Sequence, residues 1–123
     1  MQPLAKLLAV AALALAVSGA AAADSTPVGP LPPGNVTTVS TPRGTLVAVA
    51  LPRSGVPTGF AWRVARAYND HVVTQISEAN VGSSVVLVYR AIGKGRTSVV
   101  LALTHGDASP KAARSATYRI TVT

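Results

Sequence analysis

The chain has 123 residues, a formal net charge of +7 and no cysteine. Disulfides, thiol nucleophiles and zinc–cysteine sites are therefore excluded, and four acidic residues and two histidines are few for acid–base catalysis. The basic residues never form a run of three and are not interleaved with aromatic residues, whereas a nucleic-acid interface concentrates both on one face. We expect no nucleic-acid partner, no cofactor and no metal.

The first 23 residues have the layout of a secretory signal peptide. Lys6 precedes an apolar run over 7–17, and small residues at 21–23 precede Asp24. We predict cleavage after Ala23 and export to the periplasm or the medium. Because the apolar run is too short to span a bilayer, no membrane span is expected in the exported chain. Of the 11 basic residues only Lys6 is lost, so ten remain against four acidic residues, a net charge of +6.

Residues 24–35 hold four prolines and two glycines. Because these residues interrupt both helices and strands, we predict a Pro/Gly-rich linker. Residues 36–123 then form one small domain. Short β-type runs alternate with Gly, Pro, Asn and Ser at intervals of about ten residues, as in an all-β sandwich or barrel. The predicted strands are 36–40, 45–51, 60–66, 71–76, 84–91, 97–104 and 116–122.

Two of these runs, 45–51 and 97–103, are apolar on both faces. A strand buried on both faces lies inside a sheet, so we predict that both are central strands. The stretch 63–70 is the only one with any helical character. The glycine-rich segment 91–96 predicts a hairpin rather than a phosphate-binding loop, because a β-branched strand follows it instead of a helix.

One group of residues has the types needed for catalysis, namely His105, Asp107 and Ser109. These residues lie in a Gly/Pro-containing loop, whereas a triad needs each member held rigidly beside an oxyanion hole. Asp70 and His71 are adjacent, so on a strand they would point to opposite faces. We therefore predict that the protein is not an enzyme.

Three long connections remain, at 52–59, 77–83 and 104–115. In a sandwich, alternate connections fall at the same end, and loops on a rigid scaffold commonly carry recognition. The first of them contains Pro57, which fixes φ, and Gly59, which tolerates positive φ. It leads into Phe60 and Trp62, the only Phe and Trp of the chain, which we predict to be mostly buried structural anchors.

Residues 44–52 read GTLVAVALP, and residues 57–62 read PTGFAW. This pair of segments resembles the chagasin family of inhibitors of papain-like cysteine peptidases, in which a strand ending Leu-Pro leads into an Asn-Pro-Thr-Thr-Gly-Phe/Tyr-x-Trp loop. The order of the later strands over 82–122 is similar as well. The resemblance implies an immunoglobulin-like antiparallel β-sandwich of about seven strands.

The resemblance also implies a function: a monomer that blocks a papain-like cysteine peptidase without covalent chemistry, through three adjacent loops. The peptidase-binding residues carried over in this way are Val56, Pro57, Thr58, Gly59, Gly82, Ser83, His105, Gly106 and Asp107.

The motif match is partial. The Asn and one Thr of the first loop are missing, and Thr104-His105-Gly106-Asp107 stands where the family has Arg-Pro-Trp. An alternative therefore stays open, in which the domain is a non-inhibitory periplasmic or surface β-sandwich that serves in binding or adhesion.

Overall fold

A computed structural model describes residues 26–123, and the predicted signal peptide lies outside this range. The described chain forms seven strands in two facing sheets, which confirms the all-β sandwich. None of these residues forms a helix of the length and hydrophobicity needed to cross a bilayer. The strands are β1 Asn35–Thr41, β2 Leu46–Pro52, β3 Phe60–Val64, β4 Val73–Val81, β5 Ser84–Ala91, β6 Gly95–His105 and β7 Ala112–Val122.

The strands are ordered β1-β7-β6-β3 in the four-stranded sheet and β2-β5-β4 in the three-stranded sheet. All pairs are antiparallel except β1 with β7, which run parallel. β6 is central, as predicted. β2 is an edge strand, so the prediction of a central strand over 45–51 is wrong: its outward Leu46, Ala48 and Ala50 are small or exposed rather than covered by a second layer.

The core lies between the sheets and consists of alternate residues from every strand except β1, which contributes the half-buried Val39 at its margin. β2 gives the simplest case, because Val47, Val49 and Leu51 are buried while their neighbours are exposed. Leu87 and Tyr89 oppose them on β5. The two-residue alternation of the sequence therefore corresponds to an inner and an outer face.

Two predicted loops are shorter in the structure than in the prediction. β4 continues through Val81, so most of the predicted loop 77–83 is strand, with a bulge between Gln75 and Ser77. β6 and β7 are 11 residues each and reduce the predicted loop 104–115 to residues 106–111. The stretch 63–70 is not helical. In the two shortened loops, backbone pairing with a neighbouring strand extends regular structure through polar residues.

Residues 26–34 form neither helix nor strand and pack against the four-stranded sheet; we call them the strap. Ser115 Oγ donates to the Pro32 carbonyl (2.7 Å), and Arg66 donates to the carbonyls of Val28 and Gly29 (3.0 and 3.1 Å). Val28 is buried although it is outside the core between the sheets. The strap therefore accounts for the burial of Ala102 and Thr104, whose side chains point away from that core.

Tyr89 is fully buried, and its hydroxyl has no hydrogen-bond partner among the described residues. Its ring packs edge-to-face against Tyr68, with centroids 5.7 Å apart. Burial raises the pKa of Tyr89 far above its ordinary value, and Tyr68 and the charge of Glu78 add to this rise. Burial also raises the pKa of Tyr68.

Candidate functional site

The connection between β2 and β3, residues 53–59, consists of two successive turns; we call it the central loop. Val56 N donates to the Arg53 carbonyl (3.2 Å) and Phe60 N to the Pro57 carbonyl (3.1 Å). Gly55 and Gly59 each occupy the third position of their turn, with φ of 74° and 87°. That position takes positive φ in type II turns and favours Gly, so the shape of this loop follows from its own sequence.

Gly59 is also required by a close approach. A Cβ at this position would lie 2.7 Å from His105 Nε2. His105 ends β6 opposite Phe60 and packs edge-to-face on its ring, with centroids 5.2 Å apart. The central loop therefore lies directly beside the end of β6.

The hairpin between β4 and β5 lies on the other side of the central loop. Val81 pairs with Ser84, so Gly82 and Ser83 form a two-residue turn. Both are exposed. Arg53 N donates to the Ser83 carbonyl (2.7 Å), which fixes the hairpin to the first residue of the central loop.

The connection between β6 and β7, residues 106–111, is held by side chains from other elements; we call it the third loop. Arg63 Nη2 donates to the Ser109 carbonyl (2.9 Å), and its Nε donates to Thr104 Oγ1 (3.0 Å). The fully buried Thr104 in turn donates to the Gly106 carbonyl (2.7 Å). One guanidinium thus holds the loop directly at Ser109 and through Thr104 at Gly106.

The strap and β7 make further hydrogen bonds at this end of the sandwich. Thr26 N donates to the Asp107 carbonyl (3.1 Å) and Gly29 N to the Pro110 carbonyl (2.7 Å). Arg114 Nη2 donates to the Gly55 carbonyl (3.1 Å), which links β7 to the central loop. These bonds join the strap, the third loop and the central loop into one surface.

Phe60 and Trp62 are both partly buried, which is less complete than fully buried anchors would be. Trp62 packs against the margin of the core. Its Nε1 donates to the Pro52 carbonyl (2.9 Å), the last residue of β2. Because Pro52 and Trp62 lie on either side of the central loop, this bond closes the base of the loop.

The nine residues carried over from the resemblance all lie at one end of the sandwich. The ties described above place the central loop between the hairpin and the third loop. Eight of the nine are exposed and Val56 is half-buried. The loop end therefore offers a continuous surface on which Thr58 occupies the tip of the second turn.

The third loop does not assemble a serine–histidine–aspartate triad. Ser109 Oγ accepts from Lys111 N (3.2 Å). His105 makes its contact with Phe60, and no hydrogen bond among the described residues joins it to Asp107 or Ser109. Within residues 26–123 no three His, Asp or Glu side chains lie close enough together to hold a metal.

Sequence reasoning missed the residues that position this surface, namely Arg63, Thr104, Arg114 and the strap. Arg63 and Thr104 are 41 positions apart, and Arg114 and Gly55 are 59 apart. Their roles depend on strand register. An arginine on the polar face of one predicted strand and a threonine at the end of another were the only local signal.

No family model and no curated protein sequence matches this chain. A solved structure is similar: the crystal structure of a cysteine protease inhibitor from Entamoeba histolytica. The chain has the fold of a cysteine protease inhibitor. The two align with a TM-score of 0.55 and 17% identity, over 75% of this chain and 99% of the inhibitor. The predicted resemblance is therefore confirmed for the fold.

Proposed function

We propose that this protein is exported and inhibits papain-like cysteine peptidases without forming a covalent bond, by inserting the central loop, the hairpin at 82–83 and the third loop into the peptidase cleft. The observation that carries the proposal is the convergence of these three loops at one end of the sandwich. A wedge of this kind excludes substrate by occupying the cleft, so the inhibitor needs no reactive group of its own.

The central loop supplies the leading edge. Its turns hold Thr58 exposed at the tip, and Gly55 and Gly59 keep the backbone free of bulky side chains there. A loop already held in one conformation loses little entropy on binding, which favours affinity. The hydrogen bonds from Arg53 and Arg114 stabilise this arrangement from both sides.

The apolar contacts differ from those of the family. Where the family places Arg-Pro-Trp, this chain presents His105, whose ring rests on Phe60. Val81, which is 59% exposed, flanks the hairpin on the opposite side. Interfaces of standard size bury about 1,600 Å² and depend on a few anchors. We assign the anchor roles to His105, Val81 and the exposed Pro57.

The direct test is titration of papain and of a cathepsin with the purified protein. We expect reversible inhibition that is recovered on dilution. A peptidase whose active-site cysteine has been carboxymethylated should compete for the protein, because a non-covalent block does not need the thiolate. Absence of inhibition at micromolar concentration, with the protein folded, contradicts the proposal and leaves the fold unaffected.

Thr58→Arg tests the position of the loop. The longer charged side chain at the tip prevents close approach to the cleft, and we expect affinity to fall at least about thirtyfold, equivalent to about 2 kcal/mol. The matched control is Ser40→Arg, which adds the same charge on exposed β1 at the other end of the sandwich. Melting temperatures of both variants should stay near that of the parent. Equal inhibition by both variants would show that another surface binds.

A second candidate function is a non-inhibitory binding or adhesion module. The observation that favours it is the replacement of Arg-Pro-Trp by Thr104-His105-Gly106-Asp107, together with the basic surface. Binding to an acidic polymer or envelope surface that weakens steeply with salt, with no effect on peptidases, would select it.

Export is tested separately. Expression of the full chain in a Gram-negative host should yield a periplasmic or secreted form whose N-terminal residue is Asp24. A cytoplasmic protein that retains residues 1–23 contradicts this part of the proposal.

A further inference from the structure

The open side of the sandwich, between β3 and β4, carries a groove that reaches from the central loop to Asp107 of the third loop. The part next to the central loop has a volume of about 400 Å³, and its floor is formed by Trp62, Val85 and Leu103. The groove continues toward the third loop in a part of about 280 Å³, between Trp62, Glu78 and Asp107. We call both parts together the side groove.

The backbone of β3 is unpaired along this groove. β3 pairs only with β6 among the described strands. Ala65 N donates to the Val100 carbonyl (2.8 Å), and in an antiparallel ladder the residues that bond a given neighbour alternate. The N–H and C=O groups of Trp62 and Val64 therefore point away from β6, toward the side groove.

β4 lines the opposite wall but is a poorer edge for pairing. Its ladder with β5 is interrupted by the bulge between Gln75 and Ser77, and bulges twist an edge away from further pairing. A strand that enters the groove would therefore pair with β3.

The charges of the groove favour a cation. Glu78 lies opposite the buried Leu87, so its side chain is on the inner face, and it lines both parts of the groove. The only ion pair within residues 26–123 joins Asp70 and His71, so Glu78 and Asp107 have no basic partner. Arg63 lines the same part of the groove, but its guanidinium is bound to Thr104 and Ser109.

Arg53 lies at the other end, in the part beside the central loop. A cation therefore fits best next to Glu78 and Asp107, where the indole of Trp62 also lines the wall. An aromatic face and a carboxylate together are a common site for a lysine or arginine side chain.

We propose that the side groove binds an extended, basic segment of a partner protein, which adds as a strand to the edge of β3 and places a lysine or arginine side chain between Trp62 and Glu78. Main-chain hydrogen bonds give such a complex its affinity, and the side-chain pocket gives it specificity. The site lies on the side of the sandwich and shares Asp107 and one wall of the central loop with the proposed peptidase-binding surface, but the peptide complex itself needs no peptidase.

Trp62 is the only tryptophan in the chain, so intrinsic fluorescence reports on the groove directly. The probes are capped five-residue peptides of β-branched residues with arginine, norleucine or glutamate at the centre. We expect a saturable change in emission, with affinity for the arginine peptide at least tenfold above that for the glutamate peptide. Equal affinities for the three peptides, or no change in emission, would overturn the proposal.

The backbone contribution is tested with N-methylated peptides. Methylation of alternate amides of the arginine peptide gives two versions, each lacking one set of donors. Strand addition predicts that only the version methylated on the set facing β3 loses binding, by at least tenfold. Equal binding of both versions would exclude pairing with the β3 edge.

Glu78→Gln should weaken binding of the arginine peptide at least tenfold and leave the norleucine peptide unaffected. The control is Asp70→Asn, which also removes one negative charge but lies outside the groove. Equal effects of the two variants would mean that overall charge, and not the site, attracts the peptide. Because no peptidase is present in these measurements, their failure and the failure of inhibition are distinguishable.

Discussion

The central loop and the third loop lie side by side, yet they are held by different means. The central loop bonds mainly to itself, through two turns with Gly55 and Gly59 at their third positions, and it is joined to its neighbours by bonds with Ser83 and Arg114. The third loop depends on Arg63 and Thr104, which reach it from β3 and β6, and on the strap.

This difference has consequences for stability. A loop stabilised by its own turns responds mainly to changes within it, whereas a loop held by remote side chains responds to changes elsewhere in the fold. The same end of the sandwich therefore combines a locally determined loop with one that is coupled to the four-stranded sheet. Four substitutions test this contrast.

Arg63→Met should have the largest effect. It removes two hydrogen bonds from a charged donor and leaves the Ser109 carbonyl and Thr104 without that partner, at a cost of about 2–3 kcal/mol. Hydrogen exchange should rise in the third loop and stay unchanged in the central loop. Arg119→Met, on the exposed face of β7, is the control and should change neither. An equal rise in exchange in both loops would show that the two loops are not stabilised by different means.

Gly59→Ala should cost about 1–2 kcal/mol, because Ala is strained at positive φ, and the added Cβ would also displace the His105 ring. Gly55→Ala has the strain without such a contact, since the nearest atom is Arg114 Nη2 at 3.6 Å. In a His105→Ala background the cost of Gly59→Ala should fall to that of Gly55→Ala. Chemical denaturation of the parent, Gly59→Ala, His105→Ala and the double variant measures this cycle, with Gly55→Ala as the reference, and additive costs would show that His105 does not constrain the loop.

Ser115→Ala loosens the strap by removing the bond to the Pro32 carbonyl. We expect a loss of about 1 kcal/mol in the free energy of unfolding. Hydrogen exchange should become faster in the third loop and stay unchanged in the central loop. Ser98→Ala, at an exposed position on β6, is the control. If exchange in the third loop does not change, the strap does not stabilise it.

Tyr89→Phe alters the core in the half of the sandwich away from both loops and should affect neither loop. It removes a buried hydroxyl that has no partner, so stability near neutral pH should rise by up to about 1 kcal/mol.

The same variant predicts a pH dependence. The pKa of Tyr89 is raised in the folded state above its ordinary value of 10.0, so the unfolded chain loses this proton first and stability falls as pH rises beyond that value. The loss of unfolding free energy between about pH 9 and about pH 11 should be smaller in Tyr89→Phe. An equal loss in both proteins would show that other groups, such as Tyr68, dominate.

Much of the fold could be predicted from the alternation of apolar and polar residues along the sequence. The strands β2, β3 and β5 lie within two residues of their predicted bounds, because their two-residue patterns match one buried face. β4 was predicted too short, since Ser77, Glu78 and Asn80 are exposed on an edge and look like loop residues. Their strand conformation comes from the ladder with β5, which no local pattern encodes.

The position of β2 in its sheet is also not encoded by the local sequence pattern. Its apolar residues on both faces predicted a central strand, but the outer face is lined by Ala48 and Ala50, which are small enough to remain exposed. Hydrophobicity indicates that burial is possible, and the neighbouring elements determine whether it occurs.

The contacts of the strap also could not be predicted from its sequence. Its prolines and glycines predicted an extended segment and carried no information about what the segment would contact. Packing over Ala102 and Thr104, and the bonds to Arg66, Ser115 and the third loop, appear only when β7, β6 and β3 lie side by side.

The sequence by itself determined the β-sandwich class, the resemblance to an inhibitor family and the turns of the central loop, because alternation and turn chemistry act over a few neighbouring residues. The tertiary structure alone decided which contacts join the three loops, that Arg63 and the strap hold the third loop, and that a groove opens between β3 and β4. These features join residues tens of positions apart, and strand order and register, which follow from burial of the whole core, bring them together.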